Sequence, residues 1–218
     1  VGINGFNIKK NSVIDAGNSG TLARCILGLC SGTKKKIKLI GDKSLSKRDF
    51  SRVINPLNLF GVNIKSKAGI LPIELTGSDL LRPIKYLENK GSAQIKTCII
   101  LSAINTKGVT KIKAKRSRNH TELLLKYLNY PIKINKKRNF DFIEIRGLKQ
   151  FRAFDYVVPG DISSASFFIV LTLLAKKSEM LIKNININPT RMGILKILTQ
   201  MNADIKIINK RIYKGEDI

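Results

Sequence analysis

One histidine and three cysteines are all the imidazole and thiol that this chain of 218 residues offers to a metal. His120 stands alone, and Cys25, Cys30 and Cys98 lack metal-type spacing, so a zinc site is excluded and no metal or other cofactor is expected. An odd set of thiols makes no disulfide framework; the three are expected to be reduced core residues of a cytoplasmic protein. Long apolar runs are missing too. Stretches such as 167–175 fall well short of the roughly 20 residues that cross a bilayer, and neither end carries a targeting pattern, so a soluble protein with no membrane partner is expected.

Aromatic side chains make up only 6% of the chain, and there is no RNA-binding signature or zinc-finger spacing. Acidic residues are also scarce: 15 Asp and Glu against 40 Lys and Arg leave a formal charge of +25. Such a field attracts nucleic acid, anionic membrane surfaces or phosphorylated metabolites. The lysines are spread along the chain among Ile and Asn, as a biased genome composition would also produce. A nucleic-acid-binding protein would need a clustered basic face with interleaved aromatics, and the linear sequence shows neither. Nucleic acid is therefore set aside, and small anionic molecules are the expected partners.

With 43% hydrophobic residues, the chain can build one large domain or two smaller ones. It opens on Val1 rather than Met and closes on Gly215-Glu216-Asp217-Ile218, so both ends are expected to be cuts in a longer chain. Internal repeats organise it. Segments 52–64, 121–132 and 193–205 each read as an amphipathic helix, a tight turn and a strand. In the first, Val53, Leu57 and Phe60 recur at helical spacing on one face. A second element, a small-residue turn entering an apolar helix, recurs at Gly17-Asn18-Ser19-Gly20-Thr21, Gly91-Ser92-Ala93-Gln94 and Gly160-Asp161-Ile162-Ser163-Ser164. The two elements alternate with a period of about 70 residues, enough for a β-α-β-α-β-β module. Strands are expected at 36–40, 111–114 and 180–183, and a domain boundary at Val157-Val158-Pro159-Gly160.

The turns carry the candidate chemistry. Gly17-Asn18-Ser19-Gly20-Thr21 puts free N–H groups at a helix start, where anions bind, and Arg24 lies one turn on, on the same side. Ordinary Asn or Ser capping would produce the same pattern. Gly41-Asp42 leads to Arg48, whose guanidinium could grip phosphate or carboxylate, although a solvated basic turn reads no differently. Ser92 and Gln94 offer a hydroxyl and an amide, and Ser117-Arg118-Asn119-His120-Thr121-Glu122 is a further strand-to-helix junction. Pseudo-symmetry could bring such turns to one end of a domain.

In order and spacing these motifs resemble the EPSP synthase (3-phosphoshikimate 1-carboxyvinyltransferase) family. The carriers are Gly17-Asn18-Ser19-Gly20-Thr21 with Arg24, Gly41-Asp42 with Arg48, Ser92-Ala93-Gln94, and the run 117–122. Val158-Pro159-Gly160-Asp161-Ile162-Ser163-Ser164-Ala165 and Asn188-Pro189-Thr190-Arg191 extend the likeness over essentially the whole chain, in the bacterial form with Ser-Ala-Gln. Two positions depart from the pattern: Asp49 stands where the family usually has Pro, and Asn119 where it has Asp.

The resemblance implies an α/β (α+β) fold of pseudo-symmetric β-α-β-α-β-β units, the inside-out α/β barrel of enolpyruvyl transferases, here incomplete. Residues 1–158 would be the latter two units of the first domain and 159–218 the beginning of the second. It implies transfer of the enolpyruvyl group of phosphoenolpyruvate to the 5-hydroxyl of shikimate 3-phosphate, by a monomer. Gly20, Arg48 and Gln94, supported by Asn18 and Arg24, would hold phosphoenolpyruvate. Ser92, Ala93, Gln94, Ser117 and Arg118 would hold shikimate 3-phosphate. The acid and base residues would lie outside this chain, which alone would be inactive. Because Gly20 lacks a side chain where insensitive relatives carry Ala, sensitivity to glyphosate is implied too. The nearest rival is the related transferase acting on UDP-N-acetylglucosamine, but that enzyme uses a loop cysteine, whereas Cys25 and Cys30 fall inside an apolar helix.

Overall fold

The structure, a computed structural model, describes residues 11–151 and 153–218; the first ten residues of the expected first domain lie outside that range. One order of elements occurs three times. The first pass is β1 (Ser12–Asp15), α1 (Gly20–Cys30), β2 (Lys36–Ile40), α2 (Ser51–Phe60), β3 (Asn63–Ser66) and β4 (Ile73–Thr76). The second is β5 (Lys85–Glu88), α3 (Ala93–Ile104), β6 (Val109–Lys115), α4 (His120–Tyr127), β7 (Ile132–Lys137) and β8 (Phe140–Arg146). The third is β9 (Gly160–Asp161), α5 (Ile162–Leu174), β10 (Ile185–Asn186), α6 (Gly193–Gln200), β11 (Ile212–Tyr213) and β12 (Glu216–Asp217). The passes start at residues 12, 85 and 160, a period slightly longer than expected.

Strand pairing repeats as well. The first sheet has the order β1-β2-β4-β3 and the second β5-β6-β8-β7. In each, the opening pair is parallel and the other pairs are antiparallel. The third pass keeps a parallel pair, β9 with β10, and an antiparallel one, β11 with β12, each two residues long.

The chemistry of the helix ends explains the tight turns after α2, α4 and α6, the first two of which lead directly into β3 and β7. A helix that must reverse promptly into a strand is closed by a left-handed residue, a conformation open to Gly and, at modest cost, to Asn. Gly61 (φ 97°), Asn129 (φ 53°) and Asn202 (φ 60°) occupy this place after α2, α4 and α6. The expected strand at 180–183 does not form, and 203–208 is likewise outside any strand. A ladder extends only as far as its partner, and β9 offers β10 only Gly160 and Asp161 before the chain turns into α5.

Among the described residues, 11–117 and 130–151 form one compact unit, and 118–129 with 153–218 form another. In the first unit the helices are innermost. α3 is buried around its circumference, through Ile95, Lys96, Cys98, Ile99, Ile100, Ser102 and Ala103, and it packs chiefly on α1. Each sheet turns one face inward: β2 alternates exposed Lys36 and Lys38 with buried Ile37 and Leu39, and β8 buries Asp141, Ile143 and Ile145. This is the inside-out arrangement of mixed sheets over helices, although no sheet closes into a barrel among the described residues. In the second unit α5 carries an apolar surface like that of α3, yet leaves Phe167, Phe168, Leu171 and Leu174 exposed.

Candidate functional site

Because β1 and β2 are parallel, the turns that leave them lie side by side at the carboxyl ends of the strands, where α/β folds place ligands. Asp15 closes the first turn, its Oδ1 accepting the Gly17 N–H at 2.8 Å. Ser19 caps α1, accepting the Leu22 N–H at 3.1 Å. The second turn is fixed to the first: the Asp42 N–H donates to Gly17 O at 2.9 Å, and Asn18 Nδ2 donates to Asp42 Oδ2 at 2.6 Å. Asp42 Oδ1 also accepts the Leu45 N–H at 2.7 Å, starting the short 3-10 turn that delivers Arg48.

Two guanidiniums converge on the start of α1. Arg48 Nη2 donates to Asn18 Oδ1 at 3.1 Å. Arg24 Nη1 donates to Gly20 O and to Gln94 Oε1, each at 3.2 Å, and Arg24 Nη2 donates to Asp49 O at 3.1 Å. Its guanidinium also stacks 4.8 Å from the centre of the Phe50 ring. Gln94 completes the link, its Nε2 donating to Thr21 Oγ1 at 2.7 Å. A methyl group on Gly20 would stand 2.8 Å from Arg24 Nη1 and 3.1 Å from Arg48 Nη1, so both cations border the same small volume. These cations meet carbonyl and amide oxygens rather than carboxylates. Burial and the neighbouring Arg48 push the Arg24 guanidinium below its ordinary value. A bound anion would relieve that repulsion.

The structure therefore brings together Gly20, Asn18, Arg24, Arg48 and Gln94. Thr21 and Asp42 had been quoted in their motifs without a task, and here they anchor Gln94 and Asn18. The Asp42 carboxyl lies below its usual range because it accepts N–H bonds, first from Leu45, as well as the Asn18 amide. A depressed carboxyl contributes its hold above the unfolded value near 3.9 and loses it only as pH falls through the lower folded value, so the cradle stays set at neutral pH.

At the second opening turn, Ser92 caps α3 and accepts the Ile95 N–H at 3.4 Å. Buried Glu88 accepts the N–H groups of Lys90, Gly91 and Ser92 at 2.9, 2.9 and 3.1 Å. Ala93 and Gln94 open α3, and a side chain on Gly91 would come within 3.5 Å of Arg116 O, which places Ser117 beside this turn. The Ser117 hydroxyl is buried without a protein partner. Arg118 belongs to the second compact unit, where it is exposed.

That unit holds a polar cluster which sequence reading missed. His120 Nδ1 lies 2.7 Å and 2.9 Å from the two carboxylate oxygens of Glu216. Asn186 and Asn188 donate to Glu216 Oε2 at 2.7 and 3.2 Å, and Asn188 Nδ2 also donates to Asn119 Oδ1 at 2.9 Å. Burial pushes the Glu216 carboxyl up, but hydrogen bonds from His120, Asn186 and Asn188 more than offset it and leave it below the usual range. The Asn at 119 thus accepts a bond within this cluster. Asp161 is an N-cap: it accepts the Ser163 and Ser164 N–H groups and pairs with Arg191, a structural role.

No cluster of metal ligands occurs among the described residues. Cys30 and Cys98 are buried and Cys25 half-buried; burial pushes all three thiols up, Cys30 to about 12, which suits no nucleophilic role. No described helix is long and apolar enough to cross a membrane.

The sequence model of the family described as EPSP synthase (3-phosphoshikimate 1-carboxyvinyltransferase) matches residues 1–216. A 3-phosphoshikimate 1-carboxyvinyltransferase of Ruthia magnifica subsp. Calyptogena magnifica is 42% identical over 99% of the chain and 49% of the relative. Another, from Legionella pneumophila (strain Corby), is 39% identical over 100% of the chain and 50% of the relative. Among solved structures, EPSP synthase from Acinetobacter baumannii superposes with a TM-score of 0.80 at 35% identity, over 94% of this chain and 46% of that one. The chain spans about half the length of the curated relatives it matches.

Proposed function

This chain belongs to the EPSP synthase family, and from that premise we propose that it contributes the substrate-positioning part of an enzyme that transfers the enolpyruvyl group of phosphoenolpyruvate to the 5-hydroxyl of shikimate 3-phosphate. In that reaction the hydroxyl oxygen bonds to the enol carbon, a tetrahedral intermediate forms, and the carbon–oxygen bond to phosphate then breaks. Both substrates are anions. The observation that carries the reading is the pair of guanidiniums, Arg24 and Arg48, bordering one volume over Gly20 with the Gln94 amide alongside. Gly20, Arg48 and Gln94, with Asn18 and Arg24 behind them, are assigned to phosphoenolpyruvate; Ser92, Ala93, Gln94, Ser117 and Arg118 are assigned to shikimate 3-phosphate.

Fixed cations and N–H groups neutralise phosphate and hold two reactants in line, which can remove several kcal/mol, ~7 or more, from a bimolecular barrier. No general acid or base is assigned to these residues. The same reading makes the protein a cytoplasmic monomer with a domain division at residue 158. The raised thiols count against the UDP-N-acetylglucosamine rival, which depends on a reactive cysteine.

The test is calorimetric titration of shikimate 3-phosphate into a protein of the relatives' full length carrying this chain. The parent is expected to bind, and Arg118→Ala and Gln94→Ala are each expected to weaken binding by about 1–3 kcal/mol, as lost hydrogen bonds to a charged ligand do. A parent that ignores the ligand would sink the assignment and send the search to UDP-sugars. The lack of a side chain at Gly20, where insensitive relatives carry Ala, also predicts inhibition by glyphosate, and turnover that persists unchanged at high glyphosate would contradict it.

A further inference from the structure

The outward face of the β5-β6-β8-β7 sheet has a composition that no linear reading of the chain shows. Register sets Leu87, Lys113, Phe142 and Asn135 in one row across the four strands, and Lys85, Lys111, Glu144 and Lys133 in the next. Lys115, Phe140 and Lys137 form a third row. These rows carry six lysines, at 85, 111, 113, 115, 133 and 137, against the single carboxylate of Glu144, which Lys111 holds at 3.0 Å. The rings are interleaved with the cations. Lys113 Nζ lies 5.0 Å from the Phe140 centroid and 5.6 Å from that of Phe142, and Lys137 Nζ lies 6.0 Å from Phe142. Leu87, 54% exposed, and the Phe142 ring border a shallow depression of about 320 Å³ on this face.

The first sheet is an internal control, since its strands have the same order and pairing sense. Its outward face presents Lys36, Lys38 and Lys65 around Glu74, with Val13, Thr76 and Asn63 and no ring at all. A genome-wide drift toward lysine would load both faces alike. It would not seat two phenylalanines in the lysine rows of one sheet and none in the other. The enolpyruvyl transfer proposed above has no use for this face either, because its candidate residues cluster at the strand-to-helix turns.

We propose that the outward face of the second sheet binds single-stranded nucleic acid, its lysines following the phosphates and Phe140 and Phe142 stacking with bases. Lysines 111, 113 and 115 project from β6 at intervals of ~6.7 Å, two residues of strand rise, so that successive phosphates of one strand can each meet a cation. Sequence-tolerant binding of this kind combines a basic track with aromatic platforms, because every base has a π-face. The lysines now over the rings would move to the phosphates as bases take their places.

The probe is a fluorescein-labelled oligouridylate of about 12 nucleotides, read by anisotropy on the full protein. Affinity is expected to fall roughly 20-fold between about 50 and about 200 mM salt if three phosphates are engaged. The triple variant Lys113→Gln, Lys115→Gln, Lys137→Gln should bind at least about tenfold more weakly with a flatter salt slope. Lys36→Gln, Lys38→Gln, Lys65→Gln, with the same loss of charge on the first sheet, should bind within about twofold of the parent. Phe142→Leu should weaken binding about fivefold or more and leave the salt slope alone. Equal losses in the two triple variants would mean net charge alone and overturn the proposal. So would an unaffected Phe142→Leu, or a parent that does not bind at the lower salt.

Discussion

Gly28→Ala is expected to lower the melting temperature by about 5–10 °C. Gly28 lies in α1 where that helix meets α3, and a Cβ there would stand 2.2 Å from Cys98 O and 3.0 Å from Cys98 Cα. The obstacle is backbone, not the end of a side chain that could swing aside. In an exposed helix the same change would stabilise by about 1 kcal/mol, because alanine is the better helix former. Here that gain is outweighed by pushing α1 and α3 apart, which costs about 1–3 kcal/mol or more in a packed core.

The separation also reaches the site. Gln94 on α3 meets Thr21 and Arg24 on α1 at 2.7 and 3.2 Å, so parted helices lose both bonds. Weaker ligand binding should accompany the lower melting temperature. Gly193→Ala is the matched control, because a methyl group there meets nothing within 4 Å, and it should leave the melt unchanged or slightly raised. Thermal melts followed by circular dichroism decide it: a Gly28→Ala protein as stable as its parent would mean that the two helices can part at no cost.

This contact shows where sequence reading stops. The repeat was legible because each pass ends its second helix in the same way, on Gly61, Asn129 or Asn202, and opens its first with a small-residue turn. Those signals are local, within a few residues of chain. Arg24 and Gln94 could be nominated singly, but their meeting across α1 and α3 depends on a helix crossing that leaves no period in the sequence. The same holds for the rows of lysine and phenylalanine, which alternate across strands while each strand by itself reads as ordinary. Helix α4 follows β6 in the second pass, yet it joins the second compact unit, where His120 meets Glu216, 96 residues away. The strand expected at 180–183 failed for the opposite reason: its local pattern was adequate, but β9 leaves it no partner.

Arg48→Ala should then separate function from stability. In the proposed reaction Arg48 supplies a donor and a full charge to phosphoenolpyruvate, and removing one such preorganised group typically lowers kcat by about 10²–10³-fold. The folded protein has no comparable need of it. Among the described residues its side chain bonds to Asn18, which Asp42 holds independently, and its charge opposes Arg24. The variant is therefore expected to melt at or above the parent temperature while losing nearly all turnover. Arg48→Lys restores the charge without the planar fork, and should recover only part of the rate. Steady-state kinetics with both substrates, beside melts of the same preparations, give the answer. Parental kcat and KM for phosphoenolpyruvate in Arg48→Ala would remove Arg48 from the site. A melt lowered along with activity would make Arg48 a structural residue, and the anion cradle would then rest on Arg24 and the start of α1.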